Sequence, residues 1–207
     1  MTQPKAAKPA REAKAPRGER TRERLIEATI ECIGRHGYAG ATTEAIAKHA
    51  KITRGPLQYY FSDRVGLVHA AFERLHRDLM ARYAASTRGA ATPREAVDRI
   101  LDTNYEICRS EAHYALIEII IASRSDPELR SRIEPLLAQT NSGIDATWSR
   151  TVGAGQSPEQ LVAARYLMVA ITRGLALNSL TFRDPELFER EFELTRKMAH
   201  TLLGTGS

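Results

Sequence analysis

Arg54 and Gln58 stand four residues apart in the segment TTEAIAKHAKITRGPLQYYF, residues 42–61. On an α-helix that spacing puts both side chains on one face. A guanidinium forks onto guanine O6 and N7, and a carboxamide pairs adenine N6 and N7, so this pair suits the major groove of duplex DNA. Pro56, with Gly55 beside it, offers apolar contact to a thymine methyl. Around them are groups of the kind that hold phosphates and set register. Thr43 brings a hydroxyl and a helix N-terminus, Lys51 and Thr53 sit at a turn, Tyr59 and Tyr60 close the same short helix, and Arg64 opens the next. Lys48 is a weaker member of this set.

Two short helices must position these groups. Thr42 or Thr43 caps the first, whose inner face is Ala45, Ile46 and Ala47; a larger side chain at Ala47 would push the second helix away. Lys51-Ile52 makes the turn, with Ile52 pointing inward, and Thr53 caps the second helix. Pro56 tests the register. Inside a helix it would cost about 3 kcal/mol, but in a first turn its missing N–H has no acceptor to lose. The second helix therefore begins near Thr53, with the Gly55 N–H expected to bond the Thr53 hydroxyl. Two such helices joined by a tight turn are a helix-turn-helix.

The segment from 20 to 70 resembles the TetR family of bacterial transcription regulators without a gap. The resemblance rests on Gly37-Tyr38, Thr42-Thr43, Ile46-Ala47, Ala50, Ile52-Thr53, Gly55, Leu57, Tyr59-Tyr60-Phe61 and Leu67. It implies an N-terminal three-helix DNA-binding domain and a C-terminal domain that dimerises and binds a small effector. The implied function is that of a ligand-released repressor on a palindromic operator. The chain departs from the family at three places. Lys51 stands where Gly is frequent, which implies a positive φ. Gln58 replaces a frequent aromatic, and Pro56 a small or hydroxylated residue. The remaining 140 or so residues match only in length and helical pattern.

Local signals divide the rest of the chain into helices. Thr92-Pro93-Arg94-Glu95, Ser157-Pro158-Glu159-Gln160 and Ser125-Asp126-Pro127-Glu128 each join a cap to a proline at the helix start. In the last, Ser125 or Asp126 is the cap. Ser62 or Asp63 caps a long helix, and Asp184-Pro185 opens another. No segment alternates with period two, so no strand is expected. The reading is all-α, with helices near 20–36, 43–50, 54–60, 63–87, 93–109, 111–123, 127–152, 158–180 and 185–203. Residues 1–18 form a basic tail too poor in apolar side chains to fold, 19–62 the DNA-binding domain, and 63–207 the effector and dimerisation domain. Residues 1–64 carry a net charge of +6 and the remainder −1, which points to a polyanion-binding end on a neutral body.

Helix 158–180 is apolar around much of its circumference, and helix 185–203 adds Leu187, Phe188, Phe192, Leu194, Met198, Leu202 and Leu203. This suits the four-helix dimer interface that the resemblance implies. Tyr83, Tyr105, Cys108, Tyr114, Glu118, Trp148 and Arg173 mix aromatic bulk with few polar groups and are the candidates for effector binding. Other functions find less support. Two cysteines, Cys32 and Cys108, exclude a disulfide framework. No apolar run approaches the roughly 18 residues of a membrane span, and no leader follows the basic N-terminus, so a cytoplasmic location is expected. There is no nucleophile elbow, phosphate loop or carboxylate pair, so no enzyme is expected. His69 and His76 are about 10 Å apart along a helix, too far for one metal ion. No cofactor is expected. The rival reading is an architectural protein that coats DNA through its basic tail.

Overall fold

The computed structural model describes residues 17–153, 155–181 and 184–205, apart from the side chains of Arg17 and Arg54. The expected tail thus lies almost wholly outside the described residues. Among the described residues there are nine α-helices and no strand. They are α1 (Arg17–Gly40), α2 (Thr43–His49), α3 (Arg54–Tyr60), α4 (Arg64–Ser86), α5 (Pro93–Cys108), α6 (Glu111–Ser123), α7 (Pro127–Thr151), α8 (Pro158–Thr181) and α9 (Pro185–Leu202).

The caps decide most of the boundaries. Asp63, not Ser62, accepts from the Gly66 N–H at 2.6 Å. That bond, with the Ser62 hydroxyl, holds the Asp63 carboxyl below the usual carboxylate range. Asp126, not Ser125, accepts from Leu129 N at 3.0 Å. Ser157 and Gln160 satisfy each other's backbone N–H groups reciprocally, each at 3.2 Å. Two starts or stops differ from expectation. α1 opens at Arg17 and runs through Gly37, where φ is 72° and the chain kinks before Gly40. Pro135 lies inside α7, as it did in the helix expected over 127–152, and is exposed.

Packing divides into two cores. One joins Leu25 and Ile33 of α1, Ile46, Leu57 and Phe61 of the helix-turn-helix, Leu67 and Phe72 of α4, Ile119 of α6 and Ile133 of α7. The other joins Val97 and Leu101 of α5, Trp148 of α7, Leu161 and Met168 of α8, and Phe192 of α9. The first core runs without a break from α1–α3 into α6 and α7. At its tightest point, a Cβ placed on Gly34 would lie 2.7 Å from the Glu111 carbonyl oxygen. Only glycine lets α1 approach the start of α6 so closely.

α8 corrects one expectation. By length and composition alone it is just apolar enough to cross a membrane, with an 18-residue window of mean hydropathy 1.2. Its inner side, Leu161, Ala164 and Met168, fills the second core.

Candidate nucleic-acid interface and interior cavity

The turn between α2 and α3 is closed by backbone bonds. Ala50 N donates to Ile46 O at 2.8 Å and Ile52 N to Ala47 O at 3.0 Å. Lys51 takes the left-handed conformation, φ 54°, that its replacement of glycine implied. Thr42 is the α2 cap, accepting from Ala45 N at 3.1 Å, which leaves Thr43 as the first helical residue. Thr53 occupies the cap position of α3, but its hydroxyl makes no capping bond. The expected bond to Gly55 N–H is therefore absent, and the exposed Thr53 hydroxyl is free to act elsewhere. Pro56 falls in the first turn, as its chemistry requires.

Leu57, 4% exposed, and Phe61, 6% exposed, anchor α3 to the core. The opposite face presents Gly55, Pro56 and Gln58 to solvent. Arg54 begins the helix, and its side chain lies outside the described residues. Tyr59 is 81% exposed and meets Tyr60 edge-on, with ring centroids 5.0 Å apart. Tyr60 is half-buried, its hydroxyl close to Gly18 at the start of α1. Tyr59 is thus the freer of the two phenols. Lys48 and Lys51 are exposed, with no ion-pair partner among the described residues.

Arg64, expected at a phosphate, makes contacts within the protein. Its Nε donates to Ala41 O at 3.1 Å and its Nη2 to Tyr38 O. The guanidinium stacks 4.0 Å from the centre of the Tyr38 ring. It ties α4 to the chain between α1 and α2. Arg24 of α1 donates to Ala50 O at 2.5 Å and braces the turn. A surface arginine beside a helix-turn-helix gives no sequence signal that separates bracing from DNA contact.

A second feature lies deeper. Phe72, His76 and Tyr83 of α4, Asn104 and Cys108 of α5, His113, Leu116 and Ile120 of α6, Thr140 and Ile144 of α7, and Arg165, Thr172 and Arg173 of α8 surround a cavity of about 70 Å³. Tyr83 donates to Asn104 Oδ1. Burial pushes the Cys108 thiol up to about 11 and raises the Tyr83 phenol, so both are neutral. Burial, then the charge of Arg173, takes His113 down to about 4.

Of the seven expected effector residues, Tyr83, Cys108 and Arg173 line this cavity. The other four do not. Tyr105 and Tyr114 line a separate open groove of about 260 Å³ with Phe188 and Asp184. Trp148 is packed in the second core beside a void of about 30 Å³ that it shares with Tyr83. Glu118 points away, accepting from the Tyr38 N–H at 2.9 Å just after the Gly37 kink. Aromatic or polar character cannot reveal which side of a helix faces a space enclosed by four others. His113 and Arg165 were missed for the same reason.

Comparison with known proteins now bears on the whole chain. Residues 25–71 match the model of the bacterial regulatory proteins, tetR family. The HTH-type transcriptional regulator CymR of Pseudomonas putida is 27% identical over 192 residues, 92% of this chain and 95% of CymR. The regulator BetI of Stenotrophomonas maltophilia is 39% identical over 88 residues, 41% of this chain and 44% of BetI. Among solved structures, a transcriptional regulator from Rhodococcus sp. Rha1 superposes with a TM-score of 0.73 at 23% identity, covering 87% of this chain and 96% of its own. The multidrug binding protein EbrR, complexed with imidazole, superposes at 0.62 with 23% identity, covering 87% and 93%. The exposed face of α3, the family match from within α1 to the first turns of α4 and the regulators matched along the chain agree: residues 25–71 form a DNA-binding domain of the TetR type, in a chain similar to that family's transcription regulators.

Proposed function

We propose that this regulator is a repressor that binds a palindromic operator as a homodimer and leaves it when a small molecule enters the interior cavity. One observation carries the reading: α6 serves both the cavity and the DNA-binding helices. His113, Leu116 and Ile120 line the cavity. From the same helix, Glu111 pairs with Arg35 of α1 at 3.1 Å, and Glu118 holds the Tyr38 N–H. Ala115 and Ile119 are buried in the core that contains α1. A ligand that favours one position of α6 thereby favours one position of α1 and of the reading helix, in proportion to its differential affinity for the two. α4, which supplies His76 and Tyr83 to the cavity and begins just after α3, is a second lever.

In this reading, base edges meet Arg54 and Gln58, with Pro56 and Gly55 against a thymine methyl. Phosphates meet Thr43, Lys51, Thr53 and Tyr59, with Tyr60 and Arg64 in supporting places. Dimerisation is supported by an apolar face shared by α8 and α9. Leu180 and Leu194 are 54% and 59% exposed, and Leu177, Leu187, Met198 and Leu202 lie exposed with them. A patch of that kind on a monomer is unusual. A second copy brings two reading helices to half-sites about one helical turn apart. A cytoplasmic location follows from acting on the chromosome.

Selection of bound fragments from random DNA, followed by footprinting, tests this. The expected result is one short palindrome, protected by a dimer and lost on addition of an effector. Comparable affinity for random duplexes at physiological salt would instead support the architectural reading. Leu194→Glu should leave a folded monomer in sedimentation and cut operator affinity at least tenfold. A dimer unchanged by it would remove α9 from the interface.

A further inference from the structure

Arg165 uses only part of its hydrogen-bonding capacity. Its side chain, on α8, is 3% exposed. Nε donates to Asp145 at 2.5 Å, Nη1 reaches Asn141 Oδ1 only at 3.5 Å, and the guanidinium lies 4.1 Å from the centre of the Tyr166 ring. Nη2 has no partner. Neither ring nitrogen of His113, 6% exposed on α6, has one either. Both residues line the interior cavity. Buried polar atoms in native folds are almost always satisfied, and each exception asks what satisfies it.

The wall supplies the answer in its charges. Arg165 and Arg173 are its two charged residues, both cationic, and no carboxylate faces them there. Asp145, which pairs with Arg165, is not part of the lining. Arg173 has no ion-pair partner among the described residues, and its charge acts on His113, Tyr83 and Cys108. The rest of the lining is largely apolar, with Leu79, Leu116, Leu137, Ile144 and Val169 among it. A cation would be repelled. A polyhydroxylated anion would strand its hydroxyls against these aliphatic groups. The volume of about 70 Å³ admits a few heavy atoms before side chains must shift.

We propose that the cavity binds a small organic carboxylate, its oxygens held by Arg165 and His113 under the field of Arg173, and its short apolar body laid against the aliphatic wall. This rests on reading the cavity as the effector site, and it assigns the effector's chemical class. Charge-assisted hydrogen bonds are stronger than neutral ones, so the anion should outbind its neutral amide.

The test uses the full chain in titration calorimetry and thermal shift at neutral pH. The probes are butanoate, hexanoate and benzoate, with hexanamide, benzamide and hexylamine as matched neutral and cationic compounds. Operator release is measured on the same samples. We expect at least one carboxylate to bind tenfold or more tightly than its amide, and Arg173→Gln to weaken it severalfold. Arg165→Met risks unfolding by stranding Asp145, so Arg165→Lys, which keeps the charge but loses the fork, is the second variant, with a similar loss expected. Amides that bind as tightly, affinities unmoved in both variants, or no carboxylate binding below about 1 mM would overturn the proposal. Carboxylate binding without operator release would support the ligand class and sink the effector role. Amide or amine binding with release would keep the effector role and sink the class.

Discussion

Replacing Gly34 with alanine should drive a wedge between α1 and α6. The new Cβ would lie 2.7 Å from the Glu111 carbonyl oxygen and 3.3 Å from both its carbon and the Glu111 Cβ. The first neighbour is backbone at the start of a helix, so it cannot swing aside as a side-chain tip can. Reaching ordinary contact requires the helices to part by several tenths of an ångström. Overpacking of this kind costs roughly 1–3 kcal/mol. It is opposed by the helix propensity gained from Gly to Ala, about 1 kcal/mol. The net expectation is a loss of up to about 2 kcal/mol. Gly143, within α7, provides the control: its added Cβ would meet the Met80 methyl at 3.5 Å, an ordinary contact. Gly143→Ala should gain the propensity without the clash. At 2–4 °C per kcal/mol for a chain of this size, Gly34→Ala should melt below Gly143→Ala by roughly 2–12 °C. Scanning calorimetry at fixed protein concentration measures this, since subunit association makes the melting temperature depend on concentration. If Gly34→Ala melts at or above the temperature of Gly143→Ala, the close approach does not constrain the fold.

Arg64→Ala should destabilise the protein by about 1–3 kcal/mol in urea unfolding, through loss of its bonds to Tyr38 O and Ala41 O. Arg64→Lys should recover little, lacking the fork; a variant of unchanged stability with a shallower salt dependence of DNA binding would restore the phosphate role. His113 has its folded pKa near 4, held there by burial and then by Arg173, against an ordinary value near 6.5. The unfolded chain therefore takes up the proton first, so stability from this group is complete above about pH 6.5 and is lost toward pH 4, by at most about 3 kcal/mol. His76, also depressed by burial, adds to the same trend, so the contribution is read as the difference between parent and His113→Asn unfolding at pH 7 and pH 4.5. No narrowing of the gap between them toward acid would refute it.

Residues close in sequence carried the helix boundaries. Thr92, Ser157 and Asp184 announce helix starts because a cap, its proline and the N–H group that donates to it lie within three or four positions. The chemistry is local, so tertiary packing had little to override. The turn of the reading motif was legible in the same way. Lys51 takes the positive φ implied by its standing where the resembled family often has glycine. Where a local pattern allowed two readings, as at Ser62 or Asp63, geometry chose between them. The outward face of Gln58 followed from its helical spacing.

What the sequence by itself determined is thus the element order and the chemistry of the DNA-reading segment. What only the tertiary structure decided is which long side chains face inward, and toward what. Arg64 and Arg54 look alike in the sequence, yet Arg64 is bound to two carbonyls 23 and 26 residues away. Arg165 sits on a helix that reads as a dimer face, and its partner Asp145 is twenty residues back on another helix. His113 and Arg165 meet one cavity only because five helices close around it. The reason is physical: helix formation is governed by neighbours within one turn, whereas the enclosure that leaves a guanidinium nitrogen and an imidazole unpaired exists only after distant segments have packed.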